Sequence, residues 1–63
     1  MDPYEELVEE IILDLAMKGQ STSNEDIKLS ILSAIVSLKE VYKINNVQID
    51  TIIRDLFNEI GSE

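Results

Sequence analysis

The stretch Ile27 to Tyr42, IKLSILSAIVSLKEVY, has ten apolar residues in sixteen. Wound as a helix at about 100° per residue, it is greasy on two sides. Ile27, Ile31, Ala34, Ile35, Leu38, Val41 and Tyr42 form the broader stripe. Leu29, Leu32 and Val36, at i, i+3 and i+7, form a second stripe about 180° away. A chain of 63 residues is short of material to cover both. At this size only about 60% of the surface exposed by the unfolded chain becomes buried. Covering this one segment is therefore the demand that most constrains the fold.

Its neighbours read as two further helices. The first is expected over residues 3–18. Asp2 suits the cap, Pro3 the first helical position, and Glu5 follows the cap by three residues. Lys18 and Gly19 supply C-terminal signals. Tyr4, Leu7, Val8, Ile11, Ile12 and Leu15 share one face; Leu13 and Met17 point the other way, among Glu6, Glu9 and Glu10. The polar loop 19–23 ends in overlapping capping pairs, Thr22 with Glu25 and Ser23 with Asp26. The middle helix is expected over 24–43. Asn45 with Gln48, or Asn46 alone, can cap a third helix over 47–60. Ile49, Ile52, Ile53, Leu56, Phe57 and Ile60 keep a helical period there, Gly61 ends it, and Ser62 and Glu63 are expected to fray. No segment alternates long enough to read as a strand. The expected fold is one all-α domain over residues 1–63, a three-helix bundle with short loops and antiparallel neighbours.

Folding the outer helices onto the broad stripe consumes one face of each. Leu29, Leu32 and Val36 are then left over. Burying one such side chain is worth about 1.5–3 kcal/mol, so three rival the roughly 5 kcal/mol that holds a small domain together. The expectation is a homodimer with these three residues at its seam, since closed two-fold pairs are the commonest soluble assemblies. The competing arrangement puts the middle helix at the centre of the monomer, with a neighbour on either side and both stripes in the core.

Composition narrows function mainly by exclusion. Thirteen acidic residues against five basic leave a net charge of −8. That opposes binding to nucleic acid, whose readers need a basic patch, and to anionic membrane surfaces. A helix-turn-helix reading of the last two helices would expose Gln48, Asp50, Thr51, Arg54 and Asp55, a poor set for phosphates. No run approaches the roughly 20 apolar residues of a membrane span. The acidic start is unlike a signal peptide, so a cytoplasmic protein is expected.

No cysteine is present for a disulfide or thiol chemistry, and no histidine for metal ligation or general base work. The serines lack a base partner, and no glycine-rich phosphate loop or EF-hand pattern occurs. The pairs Glu5–Glu9 and Glu6–Glu10 read as a solvated acidic face. No enzyme activity, cofactor or metal is expected. The expected function is that of a homodimeric interaction module or small regulator. Glu6, Glu9, Glu10, Leu13 and Met17 form its candidate docking face, for a partner with a basic or apolar groove. A second expectation is an acidic antagonist that occupies the basic site of a nucleic-acid-binding protein.

Overall fold

The computed structural model describes residues 3–61. Asp2, expected as the first cap, lies outside them, as do Ser62 and Glu63. Three helices follow one another: α1 (Pro3–Ser21), α2 (Glu25–Tyr42) and α3 (Val47–Gly61). Each packs against the other two, and no strand occurs among the described residues. The expected all-α three-helix bundle is the architecture found.

α1 does not stop at Gly19 but continues to Ser21. Gly19 is buried inside the helix, and packing explains its identity. A Cβ there would sit 3.2 Å from Ile31 Cγ2 and 3.3 Å from Leu56 Cδ2. The bare backbone thus lets α1 approach α2 and α3 closely, so this glycine serves as a spacer rather than a stop signal. The loop shrinks to residues 22–24. The cap of α2 is Asn24, whose side chain accepts from Ile27 N at 3.2 Å, while Thr22 Oγ1 accepts from Asn24 N at 3.1 Å. Neither capping pair expected from the sequence is used.

α2 ends in a left-handed residue, Lys43, at φ 53° and ψ 46°. Ile44 N donates to Lys39 O at 3.0 Å and Lys43 N to Glu40 O at 3.4 Å. This is the Schellman pattern, normally built on glycine. Ile44 then turns inward and is buried. α3 starts under Asn46, whose Oδ1 accepts from Gln48 N at 2.8 Å and Ile49 N at 3.4 Å. Asn46 Nδ2 donates to the Glu9 carboxylate, fixing the head of α3 against α1.

The core is Val8, Ile12, Ala16, Leu32, Ile35, Ile44, Ile49 and Leu56. Its centre line on α2 runs through Lys28, Leu32, Ile35 and Lys39, spaced i, i+4, i+7 and i+11, and so falls between the two apolar stripes. Each stripe turns its near edge inward: Ile31 and Leu38 from one, Leu32 and Val36 from the other. Each leaves its far edge in water: Ile27 and Val41 on one side, Leu29 on the other. Leu32 is only 6% exposed within the single chain, and Val36 is half-buried against the core. The seam expected at Leu29, Leu32 and Val36 is therefore not an uncovered surface. The chain itself shelters most of it, and Leu29 alone stays outside, at 52% exposure. Tyr4, Leu7 and Ile11 on α1 are likewise exposed rather than core, as is Phe57 on α3 at 68%.

These positions set the expected stabilities. Leu56→Ala removes a fully buried side chain and should cost about 2–5 kcal/mol, enough to unfold much of the population in urea titrations followed by circular dichroism. Phe57→Ala, one residue on, should stay within about 0.5 kcal/mol of the parent. Lys43→Gly should gain about 1 kcal/mol, because it relieves a left-handed backbone at a side-chain-bearing residue.

Candidate functional site

The surface is best read from the contacts that fix the phase of each helix. On α1, Val8, Ile12, Ala16 and Gly19 face inward. Glu9, on one flank of that line, meets Asn46 at the head of α3. The opposite flank carries Tyr4, Leu7 and Ile11, with Leu15 between them and the core. On α2, Ile31 lies beside Gly19 of α1, while Lys39 reaches across to Asp50 of α3 at 3.4 Å. The α1 side of α2 therefore carries Ile27, Ile31, Ala34, Leu38 and Val41. The two flanks adjoin, because α1 and α2 run antiparallel and in contact. The result is an apolar strip on the side of the bundle away from α3, interrupted at its Ile27 end by Asp14 and Lys18. Its exposed members are Tyr4, Leu7, Ile11, Ile27 and Val41, the last 73% exposed.

Toward the C-terminal end of α1 this face carries charge: Asp14 and Lys18, at the same helical phase as Leu7 and Ile11, pair with one another at 3.0 Å. Further round the outside of α1, Glu6 and Glu10 make a ridge, with Leu13 and Met17 along it. Glu6 and Glu10 are exposed, and Met17 is 67% exposed. Leu13 is half-buried. Glu9 belongs to the same sequence cluster but is occupied by Asn46 and half-buried, so it is not a free docking group. Of the five expected docking residues, four lie on this outer face and Glu9 is part of the joint between α1 and α3.

Sequence reading missed the apolar face on α1 and α2 because it assigned every residue of both broad stripes to the core. A signal was present. On α1 the apolar arc from Leu7 to Ile12 spans about 140° at about 100° per residue, more than one face of a two-sided contact can hide.

One buried charge organises the opposite end. Lys28 is 8% exposed, yet its Nζ donates to Gly19 O at 2.9 Å and to Glu59 Oε1 at 3.0 Å. Gly19 O is among the last four carbonyls of α1, which have no partner within the helix. The ammonium supplies that partner and sits at the negative end of the helix dipole. Lys28 thereby joins α1, α2 and α3 in one contact. Both partners are good acceptors, so two of the three ammonium N–H groups are spent on holding the helices together.

No group of three carboxylates able to hold a metal ion forms among the described residues, and no described helix is long and apolar enough to cross a membrane. No family model, curated protein or solved structure matches the chain.

Lys28→Met keeps the volume and removes both hydrogen bonds. Glu59 is exposed enough to rehydrate, so the loss is chiefly that of the Gly19 carbonyl. The expected cost is about 1–3 kcal/mol by chemical denaturation. Glu59→Gln should cost less than half as much, since the carbonyl contact survives.

Proposed function

We propose that this protein is a cytoplasmic, non-catalytic interaction module, and that its outer α1 surface docks a basic, helical segment of another protein. One observation supports this reading above the rest. Glu6 and Glu10 project from α1 with no salt-bridge partner among the described residues, next to an exposed Met17. A row of unneutralised carboxylates beside a flexible apolar side chain suits an amphipathic helix with Lys or Arg along one edge. The charge of −8 favours the encounter at long range and discourages anionic competitors.

The reading carries a definite ionic signature. Such an attraction acts between exposed charges and is screened at high salt. Crosslinking mass spectrometry on the chain in its native extract, with quantitative recovery, tests it. Wild type should capture basic helical proteins through residues 6–17, and recovery should fall several-fold when salt rises from about 0.1 to 0.5 M. Glu6→Gln with Glu10→Gln should lower recovery to a similar extent without changing helicity. Equal recovery by the neutralised variant would remove the basis of the proposal.

A further inference from the structure

We infer that the apolar strip between α1 and α2 receives the apolar side of the basic helix that this protein docks, with the cationic edge of that helix over Glu6 and Glu10. The inference rests on the docking reading above and takes it further. It fixes where the partner's anchors sit and which amphipathic pattern the partner must carry.

The bundle exposes apolar side chains along two boundaries between helices. At the first, Leu7, Ile11 and Val41 are exposed between α1 and α2, with half-buried Leu38 among them. At the second, Leu29 is exposed on the α3 side of α2. Phe57 joins it there, two turns past Asp50 on the flank of α3 that Lys39 reaches. Charge separates the two boundaries. Beside Phe57, Asp50 is already paired with Lys39, and exposed Arg54 adds a positive charge. Beside Leu7 and Ile11 stand Glu6 and Glu10, which have no salt-bridge partner among the described residues. A cationic amphipathic helix therefore matches the α1–α2 boundary and is opposed at the other.

Position along α1 favours the strip over Met17 as the place for the anchors. Glu6 is level with Leu7 and Glu10 with Ile11, and Glu10 adjoins Leu7 at i, i+3. Met17 lies seven residues beyond Glu10, about 10 Å along the axis, and offers one exposed apolar side chain. The strip offers three and backs them with Leu38. One helix lying there touches apolar surface and carboxylates within the same two turns.

The size of the strip suits a single helix. From Tyr4 to Ile11 it runs about 10 Å along α1, and the Asp14–Lys18 pair closes it beyond that point. A partner with apolar residues at i, i+4 and i+7 covers the same span. So small a contact belongs with transient interfaces, those under about 1,200 Å2 in total. The two kinds of contact then divide the kinetics. The exposed carboxylates speed the encounter and give it salt dependence, while the apolar anchors set how long the complex lasts.

A synthetic helix-forming peptide of about four turns tests the inference, with leucines at i, i+4 and i+7 and lysines along one edge. It is titrated into the isotope-labelled full chain and followed by nuclear magnetic resonance, with affinities from fluorescence anisotropy. Backbone shifts should centre on Leu7, Ile11, Leu38 and Val41. Leu7→Asn and Val41→Asn, at exposed sites, should keep the helicity and each weaken binding at least about five-fold, mainly through faster dissociation. Met17→Asn and Phe57→Asn should stay within about two-fold of the parent. Shifts centred on Met17 or Phe57 overturn the inference, as does no binding at about millimolar peptide. A loss with Met17→Asn and none with Leu7→Asn or Val41→Asn overturns it too, while leaving the acidic ridge as the docking site. Unchanged binding by the Glu6→Gln, Glu10→Gln variant, with Leu7→Asn and Val41→Asn still weakened, instead removes the charge-based docking reading and with it the cationic edge inferred here.

Discussion

A lysine ammonium almost out of reach of water is the contact on which the rest of the bundle depends. Lys28 belongs to α2, takes the free carbonyl of Gly19 at the end of α1, and pairs with Glu59 near the end of α3. A buried charge is costly unless its hydrogen bonds are met, so this geometry admits little slack. It also sets the rotation of α2. With Lys28 inward, the positions one, two and three turns on, Leu32, Ile35 and Lys39, must also turn inward. The two apolar stripes are then forced to straddle the core instead of one facing it. The close approach of α1 at Gly19 completes the arrangement, because an ordinary side chain there would press on Ile31 and Leu56.

The number of helices, their order and nearly all their limits were legible from periodicity, the polar loops and the single proline. α3 began at Val47 as expected, and its inward row of Ile49, Ile52, Ile53, Leu56 and Ile60 was read correctly but for Phe57. The rotation of α2 was not legible. Hydropathy alone points a helix at its broader stripe, and nothing local reveals that Lys28 will find two acceptors 9 and 31 residues away. The same blindness hid the end of α2. Its left-handed residue is a lysine, so the glycine that usually announces this turn was missing, and Ile44 was read as linker although it is core. Gly19 misled in the opposite sense: a residue that usually stops helices here permits two of them to touch.

The candidate sites were legible to different degrees for the same reason. Glu6, Glu10 and Met17 are exposed because they lie far round α1 from every inward residue, and periodicity alone fixes that. Leu29, Leu32 and Val36 depended on the rotation of α2, and the structure divides them between solvent, core and boundary. The middle segment still leaves apolar side chains exposed, now at the far edge of its broader stripe. There Val41 lies level with Leu7 and Ile11 of α1, and Ile27 lies at the opposite end of α2, beside the Lys18 end of α1.

Asn46 joins two helices through one side chain. Its oxygen closes the first turn of α3 while its amide nitrogen holds Glu9 in the middle of α1. Each task favours the other, since the bond to Glu9 holds the amide in the orientation that aims its oxygen at the head of α3. Opening of the bundle at this end is thus linked across two helices: detachment of α1 removes one of the two contacts that hold the capping side chain, and fraying of the head of α3 releases Glu9.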